Sequence, residues 1–210
     1  MSLVSNLFLL FVLASVLVYY IVPHKWQWLA LLVFSYIYYI AGGLRFVVFI
    51  LFSTIVTWLA ALMIEKVETK GNHKAARKIL IFGLILNFGM LGGVKYTNFA
   101  IENLNALFHM NLRGMAILLP LGISFYTFQS SGYLLDVYWK RCEAEKHPLK
   151  YALFVSFFPQ ILQGPIGRYS SLANQLYAPH KFEGKNIARG FERILWGFFK
   201  KMICLGVNPG

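Results

Sequence analysis

Charge is what this chain is short of: only 13% of its 210 residues are Asp, Glu, Lys or Arg, while 58% are hydrophobic. A soluble domain of this size carries about twice that charged fraction. A soluble globular protein is therefore excluded and a membrane protein is expected, in line with the mean hydropathy of +0.59. Acidic residues are scarcest, 8 against 20 Lys and Arg, for a net charge of +12. A basic balance can mark a nucleic-acid binder. Here the basic residues fall in short clusters between apolar spans, a placement that the positive-inside rule explains, so no nucleic-acid partner is expected. Cysteine is nearly absent. Cys142 and Cys204 form neither a disulfide framework nor a zinc site and read as free thiols near the cytosolic side; no metal and no bound cofactor are expected. No Lys or Arg precedes the apolar run Ser2 to Val22, and no small-residue cleavage site follows it. That argues against a signal peptide and for a retained first span.

What is present is a series of segments near the roughly 20-residue length of a bilayer crossing. Spans are expected at 3–22, 28–41, 46–64, 79–94 and 115–138, making the chain a single membrane domain of all-α, multi-spanning class. The stretch 46–64 is the clearest: it is uncharged, and twelve of its residues are Phe, Val, Ile or Leu. Those twelve favour insertion by about 4 to 7 kcal/mol, an upper figure. In the fourth span Gly89 and Gly93 make a small-x-x-x-small pair of the kind that lets helices approach closely in lipid. Residues 97–113 are too polar to cross, and 188–201 are amphipathic with Arg193, Lys200 and Lys201; both are expected to be interfacial helices.

Counting charges sets the expected orientation. With the N-terminus outside, the inner loops hold ten basic residues, from Lys25 through the cluster at 65–78 to Lys150, and the outer loops three. The positive-inside rule favours that arrangement. The apolar stretch 151–167 then cannot simply cross, because Arg168, Lys181, Lys185, Arg189 and Arg193 would follow on the outer side. It contains Pro159, Gly164 and Pro165. A re-entrant segment broken at those residues is expected, with a kinked span as the alternative, and irregular backbone at membrane depth survives only where it is buried in protein or lines a cavity.

Candidate site residues follow from polar groups at depth. Ser124, Thr127 and Ser131 share a helical face, with Gln129 and Asp136 nearby. Gln129 reads either as an interhelical hydrogen-bonding group or as a cavity-lining one, and Asp136 as an interfacial anchor. Gln160, Gln163 and Arg168 flank the breaks; Arg168 suits either an anionic donor or lipid headgroups. The five histidines, His24, His73, His109, His147 and His180, all lie in polar or interfacial segments and none reads as a catalyst. No Ser-His-Asp order, metal cluster or phosphate loop is present.

Three stretches carry a resemblance. They are Leu-Pro-Leu-Gly-Ile-Ser-Phe-Tyr-Thr-Phe from Leu119 to Phe128, Phe-Phe-Pro-Gln-Ile-Leu-Gln-Gly-Pro-Ile-Gly-Arg from Phe157 to Arg168, and Gly-Phe-Phe-Lys-Lys from Gly197 to Lys201. In order and spacing they resemble the membrane-bound O-acyltransferase family, especially its bacterial exopolysaccharide-acetylating branch. The likeness implies the N-terminal half of a helical ring in the bacterial inner membrane. It implies an acyl group, acetyl by the nearest branch, taken from a cytosolic thioester donor (acetyl-CoA or an acyl carrier) and passed to a polysaccharide hydroxyl outside. Accessory extracytoplasmic proteins and membrane lipid would be partners. Ser124, Thr127, Gln129, Pro159, Gln160, Gly164, Pro165 and Arg168 would line the substrate cavity. The family's catalytic histidine would lie beyond Gly210, so this stretch is expected to be an inactive fragment. A transporter-like half, built around a broken helix at depth, and a non-catalytic membrane subunit are the competing readings.

Overall fold

The computed structural model describes residues 6–108, 120, 122–163 and 167–206. Among them every regular element is helical: α1 (Asn6–Ile21), a 3₁₀ turn at His24–Trp26, α2 (Gln27–Gly42), α3 (Leu44–Glu68), α4 (His73–Phe108), α5 (Ile123–Tyr138), α6 (Pro148–Ser156), α7 (Phe158–Gln163), α8 (Tyr169–Tyr177) and α9 (Gly184–Gly206). Two compact units result, Met1–Pro179 and His180–Gly210. The second contains α9 alone.

In the first unit the helices are separated where the chain supplies backbone freedom. Gly43 at φ 137° parts α2 from α3, and Gly71 at φ 75° turns α3 into α4; both values lie where side chains with a Cβ are disfavoured. Small residues then set the α3–α4 crossing. Ala60, Ala61 and Ala76 are buried in the core, and a Cβ on Gly83 would sit 3.3 Å from that of Ala60. The close approach expected of Gly89 and Gly93 is thus made by Gly83 instead, for a Cβ at either of those positions meets nothing within 4 Å. The reason is register: Ala76, Leu80, Gly83, Asn87 and Leu91 follow 3–4 spacing along the buried face, and Gly89 and Gly93 lie off it. Asn87 completes the crossing. It accepts from Ser53 Oγ at 2.6 Å and donates to Thr57 Oγ1 at 3.0 Å and to the Gly83 carbonyl at 2.9 Å.

Two helices, Leu44–Glu68 and His73–Thr97, are long and apolar enough to cross a membrane, and α1 adds a shorter apolar helix at Leu7–Ile21. Their outward faces expose Leu10, Leu17, Val48, Ile55, Phe82 and Ile85. Soluble monomers do not display so broad an apolar band. The protein is therefore membrane-associated.

One boundary moves. The expected fourth span and the interfacial helix after it are a single helix, continuous from His73 to Phe108. Two of its polar residues there bond back to the helix's own backbone, Thr97 Oγ1 to the Gly93 carbonyl and Asn103 Nδ2 to that of Phe99. Residues 109–119, which include the start of the expected 115–138 span, lie outside the described residues, and α5 is described from Ile123.

The stretch 148–163 is broken at Phe157, two residues before Pro159, while the second expected break at Gly164-Pro165 lies outside the described residues. α6 opens with Pro148 in its first turn and stops at Phe157, whose ψ of 106° leaves the helical region. Pro159 falls in the first turn of α7, where its missing N–H goes unneeded. In an unbroken helix the Phe158 N–H would bond the Phe154 carbonyl. Here the two are served separately: Gln129 Nε2 of α5 donates to Phe154 O at 3.0 Å, and Phe158 N donates to Ser35 Oγ of α2 at 3.3 Å.

Candidate functional site

The loop 139–147, between α5 and α6, is held from all sides. Trp58 Nε1 of α3 donates to the Glu145 carbonyl at 2.8 Å, and the Glu145 N–H donates to Tyr133 OH of α5 at 2.8 Å. One Glu145 carboxylate oxygen accepts from the His147 N–H at 2.9 Å and the other from Tyr169 OH of α8 at 2.6 Å. Glu65 of α3 accepts from the Ala144 N–H at 3.1 Å. Tyr177, at the end of α8, donates to the Lys150 carbonyl at 2.7 Å. α8 thus packs beside the 139–147 loop and the first turn of α6.

Other contacts bring further loops to this end. The Trp28 ring lies 5.5 Å from that of His147, and Glu68 bonds both His73 Nδ1 at 2.8 Å and Lys140 Nζ at 3.2 Å. The start of α2, the α3–α4 turn, the 139–147 loop and α8 therefore share one end of the unit.

Three hollows open there. One of about 150 Å³ is lined by Gln129, Asp136, Trp139, Arg141, Arg168 and Tyr169, among others. A second of about 450 Å³ shares Arg141 and Tyr169 and extends along Cys142 to Lys146 and α8. A third of about 470 Å³ lies by Glu65, Glu68, Lys140 and Arg141. Beneath the smallest, Tyr133, Tyr169 and Phe154 pack with ring centres 4.7 and 4.9 Å apart. Arg141 leans on the Trp139 ring at 4.7 Å and pairs with Asp136 at 3.6 Å.

Burial, with Tyr177 and Glu145 nearby, holds the Tyr169 hydroxyl well above the usual tyrosine range. It stays protonated and keeps donating to Glu145. Burial also pushes the Cys142 thiol up to about 11, with Asp136 and Glu65 adding to the effect. That thiol is protonated at neutral pH and no nucleophile. Two guanidinium groups beside a hollow with an aromatic floor suit an anionic oxygen-rich group. No group of three or more His, Cys, Asp or Glu that could hold a metal occurs among the described residues.

Of the residues singled out from sequence, Gln129 and Arg168 come together at the 150 Å³ hollow. Gln129 fits both of its readings, as an interhelical hydrogen bonder and as a wall. Ser124 is half-buried in the first turn of α5, and Thr127 is fully buried with no hydroxyl partner among the described residues. Pro159 is exposed on α7. Gln160 lies over Gly167, where a Cβ would come within 2.6 Å of its Nε2. Gly164 and Pro165 lie outside the described residues. Sequence reasoning passed over Glu145, Tyr133, Tyr169 and Trp58. Their one visible signal is a pair of acidic residues, Glu143 and Glu145, placed inside a basic loop.

The three-dimensional arrangement also brings two quoted stretches into contact. Gly122, at φ 70°, caps α5 so closely against α7 that a Cβ would come within 2.3 Å of Ile161 Cγ2. Gln129 lies two helical turns further along the same side and donates to the Phe154 carbonyl.

No family model matches the chain, and no solved structure matches it. Curated relatives do. The chain is 33% identical over 206 residues to the "Probable alginate O-acetylase AlgI" of Pseudomonas aeruginosa, covering 94% of this chain and 38% of that protein. It is 32% identical over 206 residues to the protein of the same name from Azotobacter vinelandii, covering 94% of this chain and 40% of that one. The "Peptidoglycan O-acetyltransferase" of Helicobacter pylori is 30% identical over 207 residues, with 86% and 38% covered. The chain spans about two fifths of the length of these relatives. It is a homologue of bacterial O-acetyltransferases, and this fits the membrane-bound O-acyltransferase branch that its motifs resemble.

Proposed function

We propose that this chain is part of a membrane O-acetyltransferase that moves an acetyl group from a cytosolic thioester to a polysaccharide hydroxyl on the far side of the bacterial inner membrane. In the reaction the thioester C–S bond breaks and an ester C–O bond forms, and the hydroxyl proton ends on the departing thiol. The observation that carries this reading is relatedness to O-acetyltransferases along 94% of the chain. The geometry supports the donor side: Arg141 and Arg168 meet at a hollow on the end rich in basic residues, where an anionic donor such as acetyl-CoA or an acyl carrier is attracted. The N-terminus then faces outside, and 151–167 dips in and returns. The contacts of Tyr169 with Glu145 and of Tyr177 with the Lys150 carbonyl support that return. The acetyl group would pass the wall formed by Gln129, and accessory extracytoplasmic proteins would receive it.

The test is radiolabelled acetyl transfer in inner membranes carrying the complete gene product. Base-labile label on the polysaccharide is expected. Arg141→Gln with Arg168→Gln raises the donor KM about tenfold or more, because each charge-assisted hydrogen bond contributes about 1.5–3 kcal/mol. Absence of base-labile acetyl from the polysaccharide overturns the proposal. For topology, cysteines replacing Lys74 and Ser170 are expected to react with an impermeant maleimide from the same side; labelling from opposite sides rules out the return.

A further inference from the structure

The second unit is a single helix, α9, and its surface divides sharply. At about 100° per residue, Ile194, Phe191, Leu195 and Phe199 fall within an arc about 140° wide. Lys185, Arg189, Lys200 and Arg193 fall within about 80° on the other side. All eight side chains are exposed, Phe191 by 61%. Trp196 falls within the cationic arc, between Lys185 and Arg189, and its ring turns toward the apolar side. Its ring stacks on Phe199 at 5.3 Å and carries Lys200 Nζ at 5.5 Å, the amphipathic posture of a tryptophan at a lipid–water boundary.

Length alone would let α9 cross a bilayer, for 23 residues rise about 35 Å. Its charge forbids that course, because four cations along one face would have to enter the hydrocarbon. Full immersion in water is equally unsuited, since it leaves the apolar arc uncovered. A flat position satisfies both faces. The short link 178–183 joins α9 to a membrane-embedded chain, so a bilayer surface is always within reach, and an anionic leaflet attracts the cations over about a Debye length.

We infer that α9 lies flat on a phospholipid bilayer, with Phe191, Ile194, Leu195 and Phe199 immersed and Lys185, Arg189, Arg193 and Lys200 turned to water. This does not depend on the acetyl-transfer reading.

The experiment uses the full chain in nanodiscs of mixed zwitterionic and anionic phospholipid. In a Cys142→Ser, Cys204→Ser background, single cysteines replacing Phe191, Leu195, Arg189 or Arg193 carry a bimane label. These four positions are exposed, so none of the substitutions cuts into a core. Labels at 191 and 195 are expected to be quenched at least threefold more by lipid-borne nitroxide than those at 189 and 193, with the order reversed for aqueous iodide. Equal quenching at all four positions overturns the inference in favour of a crossing or a free helix. Shielding of 191 and 195 from both quenchers overturns it in favour of a face covered by protein.

Discussion

The α3–α4 hairpin and the α5–α6–α7 segment both bury polar side chains, and they treat them in opposite ways. In the hairpin, Ser53, Thr57 and the Gly83 carbonyl all converge on Asn87, so the polar groups close on one another and lock two helices. In the second region the hydroxyls of Thr127, Ser131 and Ser156 are buried without a partner among the described residues. There the helix itself is cut, and its severed hydrogen bond is covered from two other helices. A buried hydroxyl that bonds nothing lowers stability, and such groups concentrate where a protein handles a polar passenger. On the proposed acetyl-transfer reading the hairpin is scaffold, and the broken segment, which leads to the hollow beside Gln129 and Arg168, is the working part.

The largest effect that bears on this contrast is expected at Gly122. Alanine there meets Ile161 Cγ2 at 2.3 Å and the Ile161 carbonyl at 3.1 Å, at a φ of +70°. Overpacking and backbone strain together cost about 2–4 kcal/mol, read as a lower midpoint in denaturant unfolding from mixed micelles. Ile161 is itself buried, so Ile161→Ala costs stability too, and relief of the clash is read as less-than-additive loss in the double variant. Gly89→Ala, on the open side of α4, is neutral or stabilises by up to about 1 kcal/mol through helix propensity. Equal losses at Gly122 and Gly89 would erase the distinction between the two faces.

Asn87→Ala comes next. It removes three hydrogen bonds, each averaging about 0.6 kcal/mol within a membrane, so about 2 kcal/mol is lost. Ser131→Ala in α5 removes a hydroxyl that bonds nothing and stays within about 0.5 kcal/mol of the parent. A similar loss at both sites would break the comparison. Gln129→Leu sits between them, at about 1–2 kcal/mol, because the Phe154 carbonyl loses its donor. Faster amide exchange around the α6–α7 break is expected with it, and unchanged exchange there would deny Gln129 its part in holding the break.

The broken segment was legible in Pro159, and the apolar helix 46–64 in its unbroken hydrophobic run. In each case the cause is local. The partners of the break were not legible, because Ser35 lies 123 positions before Phe158 and nothing in either stretch names the other. The same holds for Glu145, whose carbonyl is bonded by Trp58, 87 positions away. Gly89 and Gly93 show how a correct motif misleads: their spacing is right for close packing, but the buried face of α4 is decided by where Ala76, Leu80 and Asn87 fall. The polar tail of α4 was misjudged for another reason. Composition showed that 97–108 would not enter lipid, but the helix continues there as backbone, with Thr97 and Asn103 bonding back to it.

The smallest effect tests how firmly scaffold and working part are joined. Glu68, at the end of α3, has a side chain only 7% exposed and bonds both His73, at the start of α4, and Lys140, at the start of the pinned loop. Lys140 stands at φ 58°, a conformation few lysines adopt, so the pair helps hold a strained turn. The His73 hydrogen bond first, and the nearby Lys140 with it, keep the Glu68 carboxyl below the usual glutamate range. A depressed carboxyl stabilises the fold above its unfolded pKa, and that contribution fades as pH falls through the folded one. Thermal midpoints should therefore drop on acidification below the ordinary glutamate range by more in the parent than in Glu68→Gln. The Glu68 partners His73 and Lys140 are 68% and 66% exposed, and pairs to exposed partners contribute little, so the difference is expected to be small, and parallel curves for the two proteins would show that the hairpin and the loop hold their places without this latch.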